Sequence, residues 1–177
     1  MNKILIIILV IALGACKSEK QKQTEAIQAN EKKLFGDTSK MLDQKIAFIQ
    51  IESYKKYVES YSEDSLSPQY LFKAADLAHG MRKSQEALDL YNEFLSKYPT
   101  HPKAAASLFL IAFIYDNDLH QKDVAKTKYK EFLDKYPAHQ LAPSAKAALD
   151  QLEMGLSDED LVKLFEARQD STKKASN

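Results

Sequence analysis

The sequence predicts an all-α fold, a short solenoid of helix–turn–helix units, and three observations carry that prediction. First, a segment recurs: "ALDLYNEFLSKYPTHP" from Ala87 is matched by "AKTKYKEFLDKYPAHQ" from Ala125, so that Tyr91, Phe94, Tyr98, Pro99 and His101 answer to Tyr129, Phe132, Tyr136, Pro137 and His139. The offset from Tyr91 to Tyr129 is 38 residues, a period typical of helical-repeat proteins. Second, 4 Gly and 5 Pro in 177 residues are too few to punctuate a multi-turn β protein, while Ala, Leu, Lys and Glu abound. Third, Ala87, Leu88, Tyr91, Phe94, Leu95 and Tyr98 fall at spacings of three and four, one apolar stripe along a helix.

The remaining elements follow in chain order. A weaker third copy, "YKKYVESYSEDSLSP", sets Tyr54, Tyr57, Val58 and Tyr61 against Tyr91, Phe94, Leu95 and Tyr98, with Ser62 in the place of the proline. Met41 to Tyr61 reads as one long helix, with Leu42, Ile46, Ile49, Tyr54, Tyr57, Val58 and Tyr61 on one face and Asp37, Thr38 or Ser39 as its cap. Pro99 ends the helix before it, because proline disfavours helical backbone in its predecessor and cannot continue the hydrogen-bond ladder. Pro102 suits the start of the next helix, where a missing N–H costs little. Ala104 to Tyr115 is apolar, "DNDLHQKD" interrupts the pattern, and the following helix starts near Asp123. Leu141 to Leu152 begins a further unit that receives no second helix, and Gly155 breaks it. Ser157-Asp158-Glu159-Asp160 then reads as an acidic helix start, with Leu161, Val162, Leu164 and Phe165 forming the apolar face of a cap. Such a cap closes the last repeat of a solenoid. The helical domain is expected over residues 37–168, and residues 169–177 as a disordered polar tail.

Small residues at Ala75 and Ala87, the aromatic Tyr91, the apolar Phe94 and the closing Pro99 resemble the tetratricopeptide (TPR) pattern. The second unit repeats it with Ala112, Ala125, Tyr129, Phe132 and Pro137, and the resemblance covers residues 45 to 152. It implies a TPR-type solenoid of about 2.5 units plus a C-terminal capping helix. It also implies that the first helix of each unit lines a concave binding face. Carried over residue by residue, that face holds Phe72, Asp76 and His79 in one unit and Phe109, Phe113 and Asp116 in the next. Phe109 and Phe113 serve packing against a neighbouring helix equally well.

Upstream of the repeats lies the only cysteine, Cys16. Lys3 precedes an apolar run from Ile4 to Leu13 of about ten residues, the length of a signal-peptide core and well short of the roughly 20 that span a bilayer. Leu13-Gly14-Ala15-Cys16 resembles the bacterial lipobox. That resemblance implies cleavage before Cys16, residues 1–15 being a signal peptide, and fatty acylation of Cys16. It also implies a lipid anchor in place of a spanning helix, since stable anchoring needs more than one acyl chain. Residues 16–36 are then expected as the lipidated cysteine and a polar tether, because "KSEKQKQTEAIQAN" has almost no apolar content, although nothing in the stretch forbids a frayed helix. Lys17, directly after the cysteine, favours the outer membrane, facing the periplasm, in the sorting rule of that resembled class.

Chemistry is sparse. With 25 basic and 25 acidic residues the chain has no basic footprint for nucleic acid. His101 and His139 recur in register, yet equivalent repeat positions lie at least a helix layer of about 10 Å apart, too far for one zinc. "DNDLHQKDVAKT" starts like a calcium loop but has Gln121 at its sixth position and Thr127 at its twelfth. No metal site, catalytic residue or cofactor is implied, and an enzyme is not expected. Together with the lipobox, the repeats resemble those of TPR lipoproteins of the Gram-negative envelope, such as that of the outer-membrane β-barrel assembly machine, and the periplasmic TPR coordinator of the Tol–Pal system. The expected function is a membrane-anchored, non-catalytic scaffold for an envelope protein partner, in outer-membrane protein assembly. The alternatives are a cell-wall or division coordinator that binds peptidoglycan or its synthases, and a lipoprotein that binds a glycan or small ligand.

Overall fold

The computed structural model describes residues 17–37, 41–155, 160 and 163. Among them the chain forms seven α-helices and no strand: α1 (Glu19–Phe35), α2 (Gln44–Ser60), α3 (Ser67–Gly80), α4 (Ser84–Lys97), α5 (Ala104–Phe113), α6 (Lys122–Lys135) and α7 (Ala142–Met154). Each helix packs on the next in sequence, which builds a short TPR-type solenoid from helical hairpins. The expected signal peptide (residues 1–15), Cys16, the cap candidates Thr38 and Ser39, most of the expected C-terminal cap and the expected polar tail lie outside the described residues.

The expected tether is a helix. Ser18 opens α1 with a reciprocal cap: its hydroxyl accepts the Gln21 N–H at 3.2 Å, while the Gln21 side chain accepts the Ser18 N–H at 3.0 Å. Ile27 and Leu34, two turns apart, bury against the body and bring the otherwise polar helix down onto α2. The helical domain therefore begins near residue 18 rather than 37. Low apolar content misled because one pair of aliphatic side chains, together with polar ties, docks this helix.

α2 starts at Gln44 rather than Met41, because Asp43 takes the capping role and accepts the N–H groups of Lys45 and Ile46 at 2.9 and 3.0 Å. Its buried face is Ala47, Gln50, Ile51, Tyr54, Tyr57 and Val58; Ile49 is turned out and about half exposed. Pro68 and Pro143 occupy the first turns of α3 and α7, where no N–H is missed. α4 and α6 stop two residues before Pro99 and Pro137. Gly155 ends α7 in the left-handed conformation, φ 66°.

Large side chains at matching repeat positions form the core. Tyr54, Tyr57, Tyr91, Tyr129, Phe94 and Phe132 are fully buried. Phe72 meets the rings of Tyr91 and Phe94 at 5.7 Å each, and Phe109 meets those of Tyr129 and Phe132 at 5.8 and 5.7 Å. α5 serves two sides at once: Ala104 and Ile111 face the N-terminal half of the core, and Ala105, Leu108 and Ala112 face α6 and α7. A helix apolar all round is a buried one.

One irregularity has a sequence cause. Phe72 and Phe109 stand 37 residues apart, but Tyr91 and Tyr129 stand 38 apart. The second unit therefore carries one extra residue before its second helix, and α5 absorbs it by running on into a π-helical turn, Ile114–Asp118. The hairpin turn that follows keeps the first unit's geometry, with Arg82 and His120 both left-handed at φ 59° and 52°.

Candidate functional site

A pocket of about 560 Å³ opens where α1, α2 and α3 meet, within the size range of ligand clefts. Its apolar lining is Phe35, Leu42, Leu77 and the ring of Tyr54; Glu31, Lys73 and Asp76 supply its polar lining. α3 places Lys73, Asp76, Leu77 and Gly80 on one face by its three- and four-residue spacing. α1 adds Glu31 and Phe35 by the same rule.

Hydrogen bonds orient both carboxylates. Tyr54 donates its hydroxyl to Glu31 Oε1 at 2.6 Å, and Lys73 Nζ donates to the same oxygen at 2.8 Å. Tyr91 donates to Asp76 Oδ1 at 2.5 Å. Burial first, and then these carboxylate partners, push both phenols well above the ordinary tyrosine range, so each stays a neutral donor. Burial pushes the Asp76 carboxyl up too, and the Tyr91 hydroxyl pulls it partly back. Lys103 and His79 act on Asp76 only through their charges. Both are engaged elsewhere: Lys103 Nζ lies 4.0 Å from the centre of the Phe72 ring, and His79 Nε2 lies 3.0 Å from Asp118 Oδ2.

The six residues expected on a concave face therefore divide. Asp76 lines the pocket. Phe72 is buried in its own unit, and Phe109, half-buried, does the same in the next, so both are packing residues. His79 and Phe113 approach each other, ring centres 6.1 Å apart, in a separate patch between α3 and α5. Asp116, in the π turn, faces the Tyr129 hydroxyl, where its charge and hydrogen bonding add to burial in raising that phenol.

His79, Asp118 and Ser84 form a cluster without the layout of a nucleophile and its base. The Ser84 hydroxyl donates to Asp118 at 2.9 Å, not to the imidazole. His101 and His139 are turn residues: each Nδ1 accepts a backbone N–H, from Lys103 at 3.1 Å and Leu141 at 3.2 Å, and each ring packs on Phe94 or Phe132. Among the described residues no group of three His, Cys, Asp or Glu could hold a metal ion.

Sequence reading missed Glu31 and Phe35 because it placed the N-terminal wall of the groove in a tether, and without that wall nothing marked Leu42 on the expected 41–61 helix, or Lys73 and Leu77 beside Asp76, as lining a site. The Ser18/Gln21 capping pair and the Ile27/Leu34 spacing were the available signals.

A family model described as tetratricopeptide repeat matches residues 69–101 and 106–139, the α3–α4 and α5–α6 hairpins. Tetratricopeptide repeats are present. The 33- and 34-residue matches differ by the one residue that the π turn accommodates. TPR repeats indicate a protein-interaction scaffold, and no enzyme family is indicated. α1, α2 and α7 lie outside the matched stretches. A solved structure described as "Crystal structure of MamA" is 19% identical, covers 91% of this chain and 99% of its own, and superposes with a TM-score of 0.48. Among curated proteins none matches the sequence.

Proposed function

We propose that this chain is a lipid-anchored, non-catalytic scaffold of the Gram-negative outer membrane, facing the periplasm, that holds a segment of an envelope protein in the α1–α3 groove. Outer-membrane protein assembly is the process in which we place it. The observation that carries the reading is the groove itself, apolar at its centre and edged by oriented charges, joined to repeats of a class that binds protein partners.

The anchor rests on Leu13-Gly14-Ala15-Cys16, and among the described residues no helix is long and apolar enough to cross a membrane. The start of α1 at Glu19 leaves only Lys17 and Ser18 between Cys16 and the first helix. At up to about 3.6 Å per residue, a lipid on Cys16 holds the domain within about 10 Å of its attachment point. There is no long leash. The groove, lined by Glu31 and Phe35, lies toward the opposite end of α1, about 20 Å along its axis.

The test is site-specific photocross-linking in cells, with the reactive side chain at Phe35 and, as a control, at Val124, which is also exposed but far along the chain. One envelope protein captured at Phe35 and not at Val124, together with labelled fatty acid incorporated into the wild type and not into Cys16→Ser, supports the reading. Equal capture at both positions would remove the groove from it, and absence of the acyl label would remove the anchor.

A further inference from the structure

We infer that the α1–α3 groove selects a partner segment in which a basic side chain, lysine or arginine, sits beside an apolar one. The inference rests on the scaffold reading and names the chemistry that such a groove admits.

Three charged side chains line the pocket, two carboxylates and one ammonium. The ammonium of Lys73 is bound to Glu31, which leaves Asp76 facing the groove with a neutral phenol as its hydrogen-bonding partner. Neither nearby basic side chain offers it a hydrogen bond, since Lys103 lies over Phe72 and His79 faces Asp118. Asp76 is exposed to the groove, so a bound segment can reach it, and the protein packed around it already takes part of its water. An apolar segment laid over it would remove more water and return nothing, a neutral polar one would return hydrogen bonds but no charge, and an acidic one would add repulsion. A cation beside it restores a charge partner at the position where one is lacking.

The apolar surroundings suit the rest of such a residue. Phe35 is 54% exposed and stands beside Leu42 and Leu77, where the methylene stem of lysine or arginine and a neighbouring aliphatic side chain find cover. The groove thus discriminates by exclusion as much as by attraction.

A library of random linear peptides, displayed on phage and selected against the full chain in detergent, tests this, with Asp76→Asn selected in parallel. Asparagine keeps the size of the side chain and an oxygen for the Tyr91 hydroxyl, and circular dichroism with a melting curve confirms that the variant is folded. The expected result is a peptide family with Lys or Arg next to an aliphatic or aromatic residue. It should bind the wild type about tenfold or more tightly than Asp76→Asn, with affinity that falls as salt is raised. Families with no basic preference, or with equal binding to both chains, would overturn the inference while leaving the scaffold reading intact. No enriched family at all would overturn the groove as a linear-peptide site, and the Phe35 cross-link then decides separately whether a folded partner docks there.

Discussion

Truncating Ile27 to alanine tests whether α1 belongs to the folded body. α1 buries two aliphatic side chains, Ile27 at 1% and Leu34 at 9% exposure. Its other ties are polar: Glu31 to Tyr54 and Lys73, Lys20 to Asp64, and the Gln50 amide donating to the Ile27 carbonyl at 3.3 Å. Burial of one such side chain contributes about 1.5–3 kcal/mol, and the exposed ion pairs contribute about 0–1 kcal/mol each. Fixing the helix backbone offsets much of that. Ile27→Ala costs about 2–5 kcal/mol, comparable with the whole docking free energy. α1 should therefore open as a unit while α3 to α6 stay folded. Hydrogen exchange followed by mass spectrometry reads this directly. A loss of 2 kcal/mol corresponds to roughly a thirtyfold faster exchange of the α1 amides, with α3 and α4 unchanged. Protection of α1 that matches α3 in the variant, or loss spread evenly over all helices, would refute the reasoning.

Further outcomes follow from single positions. Arg82→Gly and His120→Gly each relieve a left-handed backbone that L side chains adopt at a cost of about 1–2 kcal/mol, so each should raise the melting temperature; a fall would show that these side chains make ties worth more than the strain. The raised pKa of Asp76 means that, between the ordinary carboxylate value and the folded one, the native chain binds more protons than the unfolded chain. Its contribution to stability is then fullest at acid pH and is lost as pH rises through that window. Asp76→Asn should flatten this slope without lowering the melting temperature at neutral pH, and a clear drop there would show that the carboxylate is required for folding. Deleting Asn117 should restore a plain α-helix, because the first unit is built without the extra residue. Circular dichroism should then show a folded, helical chain, and a molten one would mean that the π turn is itself needed.

The fold was legible where the period was intact. Tyr91, Phe94 and Pro99 recur as Tyr129, Phe132 and Pro137, and a stripe plus a stop in register specify hairpins without any knowledge of contacts. α1 was illegible for the opposite reason. Ile27 and Leu34 stand among the polar and small residues that fill the rest of Glu19 to Glu31 and the lysines that follow, so composition pointed to a solvated segment. The site went with it: Asp76 was found from the repeat register alone, but its partners across the groove, Glu31 and Phe35, came from the part of the chain without a register. Phe72 and Phe109 show the reverse error. Helical phase puts them on the inner helices, but a ring placed over Tyr91 and Phe94, or over Tyr129 and Phe132, fills its own unit instead of the groove.

A polar contact shows what α1 is. In the α3–α4 hairpin, a tyrosine of the second helix, Tyr91, holds a carboxylate of the first, Asp76. In the next hairpin Tyr129 faces Asp116, and in the first Tyr54 holds Glu31. Tyr54 was already aligned with Tyr91 and Tyr129 by sequence, so α2 is the second helix of a unit and α1 stands where its first helix belongs. The aliphatic stripe of that first helix has thinned to two residues, while the tyrosine–carboxylate tie remains. A tether would have no use for such a tie. The solenoid thus starts at α1, its first groove lies between this degenerate unit and α3, and a lipid on Cys16 would connect to the repeat array with only Lys17 and Ser18 between them.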